Sequence, residues 1–267
     1  PQTWQEHALA PIQADLIYRR LLALQSDLSK KNISLYYAQT ESFKDAARLV
    51  AEVAVIEGAS GVYLNKEYEL NERCRDELLS ELLATEGIEY KSFDDKCILK
   101  PGSVVNKQGD YFKVFTPFKR AYLAAMYRQP VAVTKITPLQ REGKLTSNGV
   151  AEFSSQCDFD YPRESSERYA VETEQIIQAL RKFDSDKVTS YHSHRDFPAI
   201  DGTSTLSPYL AIGALSVSQC MARVMYQQSL PLSGGRDVWQ SELIWREFYR
   251  HLAYFEPNLT QGKHVNS

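Results

Sequence analysis

Apolar residues recur at helical spacing over much of the chain. Between residues 16 and 28, Leu16, Ile17, Leu21, Leu22, Leu24 and Leu28 alternate with charges, which predicts an amphipathic helix. Lys30, Lys31 and Asn32 after it suit a helix C-terminus. Residues 33–38 form a short β-prone run. Residues 42–59 are again helical, with Phe43, Ala46, Leu49, Val50, Val53 and Ile56 on one side. A strand at 62–64, a helix at 69–84 and a strand at 88–93 come next. This alternation predicts right-handed βαβ units and a parallel sheet with helices on both faces. Three strands are few for a closed doubly wound domain, so the sheet reads as incomplete at its N-terminal edge. Pro101-Gly102 ends the pattern, and Pro117 suits a first helical turn within 111–127. Residues 129–165 are rich in Pro, Ser, Thr and Lys without periodicity and read as a linker. Beyond them, 171–183, 207–212, 216–228 and 237–255 read as helices. The expected fold is therefore α/β followed by all-α: a Rossmann-like domain over 1–128, the linker, and a helical domain over 166–267.

Composition changes this picture little. A chain of 267 residues accommodates two units, and 43% hydrophobic with 24% charged residues excludes the disordered and membrane classes. No run reaches the roughly 18 apolar residues of a membrane span, and no signal peptide opens the chain, which predicts a soluble, cytoplasmic protein. Cys74, Cys97, Cys157 and Cys220 are scattered and form no CxxC pair, against a zinc site or a disulfide framework. A formal charge of −3 confines any nucleic-acid contact to a local patch. The chain opens at Pro1 without methionine and ends on a polar, aperiodic stretch, which reads as a piece with segments missing at both ends.

Four segments could carry chemistry. In 201–208, Ser207 before Pro208 suits an N-cap with Pro at N1, and Thr203, Ser204 and Ser207 offer hydroxyls to an anion at a positive helix end. Capping alone is the better account of the segment taken by itself, and it lacks the lysine of a P-loop. In 237–255, Trp239, Glu242 and Arg246 share a face, Glu242 and Arg246 are spaced as an i, i+4 ion pair, and Trp245, Tyr249 and Leu252 form a neighbouring stripe. Core packing accounts for such tryptophans in most helices, but aromatic faces beside arginines are also what stacking on a base or a flavin ring requires. Residues 191–197 read as an irregular segment, in which His192 and His194 lack a third metal ligand and Arg195 suits a phosphate contact, though by itself a plain surface position explains it better. Asn71, Glu72 and Arg73 open a helix beyond a strand, where open α/β sheets bind ligands; an acidic first turn explains the same residues. Trp4 and His7 near the chain start have no meaning from sequence alone.

Together these segments resemble the photolyase/cryptochrome family, and within it the folate-type bacterial enzymes that repair cyclobutane pyrimidine dimers. The strongest match is the decapeptide over 242–251, Glu-Leu-Ile-Trp-Arg-Glu-Phe-Tyr-Arg-His. Arg195-Asp196-Phe197-Pro198 with Gly202-Thr203-Ser204 and Leu206-Ser207 is the second, supported by 68–73 and by Phe115-Thr116-Pro117-Phe118. The resemblance implies an N-terminal α/β antenna domain and the front half of a helical FAD-binding domain, the family's opening strand, helix and strand and most of its flavin domain being absent here. It implies that Tyr191, Thr203, Ser204, Leu206, Ser207, Trp239, Glu242 and Arg246 contact FAD. By the same resemblance His7, Asn71 and Glu72 hold a methenyltetrahydrofolate antenna. Glu242 and Trp245 act on the lesion, and Arg195, Trp245 and Arg246 meet damaged DNA. The implied activity is light-driven electron transfer from reduced FAD to the dimer by a monomeric lyase without metal or membrane, its side chains orienting the cofactor rather than reacting. A cryptochrome-type blue-light photoreceptor is the alternative, and an inactive folded piece without cofactor is a third.

Overall fold

The computed structural model describes residues 2–128, 131–135, 137–139, 154, 156–226, 229–230 and 232–261. The chain divides into two compact units that interleave in sequence, one of residues 1–66, 71–93 and 135–173, the other of 67–70, 94–134 and 174–267.

The first unit contains helices α1 (Gln2–Glu6), α2 (Pro11–Ser29), α3 (Phe43–Ile56) and α4 (Leu70–Thr85), with strands β1 (Gly61–Asn65) and β2 (Glu89–Phe93). Pro11 sits in the first turn of α2, where its missing N–H is not needed, and the Gln13 side chain accepts from the Ala10 N–H at 3.1 Å. Ser42 caps α3 by accepting from the Asp45 N–H at 3.1 Å. β1 and β2 are parallel, paired from Gly61 with Glu89 to Asn65 with Phe93. Ala47, Ala51 and Ala54 of α3 meet Leu79 and Leu83 of α4, with Val62, Leu64 and Tyr90 packed against them. The small alanine face lets α3 lie close to its neighbours, and the period of two in the strands turns Tyr63 and Phe93 to solvent.

The sheet thus has the expected parallel sense but two strands, not three, among the described residues. Among the described residues, 33–38 form no ladder. Tyr37 makes only an isolated antiparallel bridge, its N–H donating to the Ser154 carbonyl at 2.8 Å and its carbonyl accepting from Ser154 at 2.9 Å. A β-prone run becomes a strand only with a neighbour to pair with. Much of the expected linker, namely 129–130, 136, 140–153 and 155, lies outside the described residues. Residues 166–173 are tied to α2 through its charged side chains. Asp15 accepts from the Ser166 N–H (2.8 Å) and hydroxyl (2.6 Å), Arg20 donates to the Val171 carbonyl (2.7 Å), and Thr173 donates to Asp27 (2.7 Å). The Ser166 hydroxyl, more than any neighbouring arginine, holds the Asp15 carboxyl below its ordinary range.

The second unit is helical: α5 (Phe115–Met126), α6 (Thr173–Asp186), a 3-10 turn (Val188–Ser190), α7 (Tyr191–His194), α8 (Ser207–Ala211), α9 (Val217–Met225), α10 (Gly234–Phe255) and a closing 3-10 turn (Pro257–Gln261). Its core holds Phe118 and Tyr122 of α5, Leu180 and Phe183 of α6, Met221 and Val224 of α9, and Trp239, Leu243, Ile244 and Phe248 of α10. Buried Asp184 knits three helices, pairing with Arg223 at 2.7 Å and with Arg236. Two sequence expectations change. Residues 191–194 are a helix rather than irregular. Leu206, not Ser207, occupies the N-cap of α8, which places Pro208 at the second helical position.

Candidate cofactor and DNA interface

The longest helix, α10, organises the candidate site. Its first turn lies against the 3-10 turn before α7: a Cβ added to Gly235 would stand 1.8 Å from the Val188 carbonyl oxygen, so only glycine permits the approach. The loop before α8 closes on α7 in the same way, since a Cβ on Gly202 would fall 2.4 Å from the Cβ of His194. These two glycines bring α7, the 202–207 loop and the start of α10 together.

Three stripes then run along α10, as a 3.6-residue period requires. On the first, Trp239 is 3% exposed and packs on Phe183, centroids 4.8 Å apart; Phe183 in turn meets Tyr191 edge-on at 5.7 Å. Beside them Arg195 donates to the Glu242 carboxylate, and its guanidinium lies 6.0 Å from the Tyr191 ring centroid. The hydrogen bond to Glu242 raises Arg195 above its ordinary basicity, and burial raises the Tyr191 phenol. Tyr191, Arg195, Trp239 and Glu242, far apart in sequence, therefore form one cluster. Thr203 and Ser207 are exposed and Ser204 half-buried, whereas Leu206 is core. Five residues make α8 too short for a substantial helix dipole, so an anion there would rest on these hydroxyls and nearby backbone N–H groups.

On the second stripe Trp245 stacks on Phe115 of α5, ring centroids 3.6 Å apart and planes within 7°. Tyr249, one turn on and largely exposed, lies nearly parallel to Trp245 at 5.7 Å.

The third stripe faces residues 96–99. Arg246 donates to the Lys96 carbonyl at 2.9 Å and lies 3.4 Å from Glu247. The expected pair with Glu242 does not form, because Glu242 is taken by Arg195 and the longer Arg246 side chain reaches an inner carbonyl. Glu247, wholly buried, accepts from the Ile98 N–H at 2.9 Å and the Tyr122 hydroxyl at 2.8 Å. Burial lifts its carboxyl above the carboxylate range, and burial lowers Arg246. The His251 Nε2–H donates to the Leu99 carbonyl at 3.2 Å, and burial depresses its pKa to about 4. Sequence reasoning passed over Glu247 and His251. Their signal was spacing: with Leu243 they stand at i, i+4 and i+8 on the buried face.

Of the candidate antenna residues, His7 and Asn71 line one open cleft of about 450 Å³, together with Thr3, Glu6, Ser42 and Asp45. Glu72, one position along α4, is outside that lining. Among the described residues no three His, Cys, Asp or Glu side chains converge as a metal site, and no helix is long and apolar enough to cross a membrane.

Known proteins match this chain closely. The family model for DNA photolyase matches residues 1–138. The deoxyribodipyrimidine photo-lyase of Vibrio cholerae is 48% identical over 264 residues, covering 98% of this chain and 56% of the relative. That of Escherichia coli is 38% identical over 266 residues, covering 98% and 55%. The chain thus spans little more than half the length of these relatives. Among solved structures, a bacterial class III photolyase from Agrobacterium tumefaciens superposes with a TM-score of 0.72 at 24% identity, covering 93% of this chain and 51% of that one. A Synechocystis cryptochrome superposes at 0.70 with 20% identity, covering 93% and 52%, and at such identities the likeness concerns the fold. With a family model matched over half of this chain and relatives aligned over almost all of it, this chain belongs to the DNA photolyase family.

Proposed function

We propose that this chain is part of a light-dependent lyase that repairs cyclobutane pyrimidine dimers in DNA. The observation that carries the reading is the convergence on α10 of a cation–carboxylate–aromatic cluster (Tyr191, Arg195, Trp239, Glu242) with a partly exposed tryptophan one stripe away. In this reading residues 1–128 are the antenna domain, although 67–70 and 94–128 pack with the helical unit, 129–165 are the connection and 166–267 the front of the FAD-binding domain, in a cytoplasmic, monomeric enzyme.

FAD fits the donor set, since hydroxyls at Thr203, Ser204 and Ser207 suit a diphosphate and Leu206, being buried, would reach it through its backbone. When bound and reduced, FAD supplies the electron that splits the dimer. The chain's own residues orient and insulate. Tyr191 and Trp239 supply ring faces at the flavin side. Glu242, held by Arg195, keeps a fixed carboxylate between cofactor and lesion. Trp245 supplies a stacking face for an extruded dimer, whose weakened stacking lowers the cost of extrusion. Arg195 and Arg246 are the phosphate contacts of this reading. Arg246 acts by turning out from the Lys96 carbonyl. His7 and Asn71, with Glu72 beside them, are the proposed contacts of a methenyltetrahydrofolate antenna; the cleft offers an imidazole and an amide to a polar heterocycle.

The test is reconstitution of the full-length gene product with FAD, followed by illumination of thymine-dimer DNA. Light-dependent loss of dimers is the expected result. A light-driven conformational change with dimers left intact would replace repair by the cryptochrome-type reading, and absence of any flavin absorption band after reconstitution would remove both.

A further inference from the structure

Among the described residues, the aromatic pair Phe115–Trp245 is the most face-to-face ring contact of the second unit, and it joins two helices that other contacts also fix to each other. Lys119 of α5 reaches Asp237 (3.2 Å) and the Ser241 hydroxyl (2.6 Å) on α10. Phe118 packs on Phe248 (5.1 Å) and on His251 (5.1 Å), and Tyr122 donates to Glu247. These contacts stand on successive turns of α5 and set the distance and rotation between the helices. Phe115, at the first turn, is the member of this row that meets Trp245 rather than the core. Its ring lies parallel to the indole at 3.6 Å, covering one face, and also touches Phe248 edge-on at 5.9 Å. Trp245 is only partly buried, and the exposed neighbours Val114 and Tyr249 show that this end of the α5–α10 seam opens to solvent.

A partly exposed tryptophan on a helix has several accessible side-chain rotamers, and ordering one of them on binding costs affinity. A ring stacked flat on one face removes that freedom beforehand. Parallel stacking fixes the plane of the indole, which a merely apolar neighbour of equal volume would not do. We propose that Phe115 is a positioning residue for Trp245: it holds the indole plane so that the ring is preorganised to stack on an unpaired, extruded pyrimidine pair. The proposal rests on the reading of Trp245 given above and assigns Phe115 no contact with DNA or flavin.

The test compares Phe115→Leu, which keeps an apolar, if smaller, side chain but removes the aromatic face, with Phe115→Tyr, which keeps that face, in the full-length protein. Two quantities are read: the ratio of affinities for one oligonucleotide with and without a single thymine dimer, and the near-ultraviolet circular dichroism that disappears in Trp245→Phe. Phe115→Leu is expected to lose the Trp245 signal and to lower the affinity ratio about fivefold, with the melting temperature and flavin content kept; Phe115→Tyr is expected to retain the signal and the ratio. Retention of the affinity ratio in Phe115→Leu overturns the proposal and leaves Phe115 as packing. Loss of the ratio equally in Phe115→Tyr also overturns it, since the aromatic face would then not be the cause. If Trp245→Ala leaves the ratio intact, the reading of Trp245 itself fails, which is a separate result from failure at Phe115.

Discussion

Single residues on α10 divide by what covers them. Trp245 keeps part of its surface open while Trp239 is sealed against Phe183. Trp245→Ala should therefore weaken binding of dimer-containing DNA by about 2 kcal/mol, a base-stacking increment, and leave flavin affinity nearly unchanged. Parallel titrations with damaged oligonucleotide and with FAD check this, and equal losses would refute the placement of Trp245 against the lesion. His251 gives a second prediction. Folded, it ionises only near pH 4, against 6.5 for an ordinary histidine, so unfolding takes up a proton between those values. The stability it contributes is complete above about pH 6.5, falls as the pH drops through that window and levels off below about 4. The full window corresponds to about 3 kcal/mol. Buried Glu247 acts in the opposite sense, its raised pKa making the fold less stable as pH rises beyond the carboxylate range. His251→Gln, which retains a donor for the Leu99 carbonyl, should flatten the curve between pH 6.5 and 4 in urea titrations at stepped pH. An unchanged slope there would show that His251 is not the group responsible.

At the scale of elements, the candidate cluster exists because helices meet at glycines. The Gly235 approach to the Val188 carbonyl brings α7 beside α10 and so delivers Arg195 to Glu242. Gly235→Ala cannot be absorbed by a flexible side chain, since the obstacle is backbone, and should destabilise the second unit by about 3 kcal/mol. Urea unfolding followed by tryptophan fluorescence reads this directly; a wild-type midpoint would mean the helices separate without cost. The elements themselves were well marked in sequence. Period gave α3, α4, α6 and α10 within a few residues and α2 without its first turn, because each carries an apolar stripe that its own spacing displays. The 33–38 run failed as a strand because pairing is a property of two segments, and Tyr37 is joined to Ser154 by an isolated bridge, not by a ladder. Residues 191–194 were read as irregular because a helix of one turn has no period to detect.

For the chain as a whole, a formal charge of −3 leaves little general attraction to nucleic acid, so the DNA binding proposed above would depend on a few well-placed cations. Each phosphate contact adds about 0.9 to the magnitude of the slope of log affinity against log salt. Arg195→Ala should lower that magnitude by about this amount for duplex DNA, measured by titration at several salt concentrations. An unchanged slope would leave Arg195 as the partner of Glu242 alone.

The sequence by itself determined most of the longer helices, the two strands and their parallel sense, and the family, because periodicity and a decapeptide of uncommon residues are properties of contiguous chain; that the two compact units interleave along the chain was decided by the tertiary structure. Only the tertiary structure decided the partners. Glu242 pairs with Arg195 across 47 positions rather than with Arg246 four residues away, and Arg246 turns inward to Lys96. Glu247 and His251 are sealed against 98–99, and His7 and Asn71 share a cleft that Glu72 does not line. Trp245 lies on Phe115, 130 positions earlier. The physical reason is common to all of them. A helix face fixes which residues point the same way, whereas burial and the side chains arriving from distant segments fix which of them meet, which are stripped of water, and hence which pKa values and ring planes they hold.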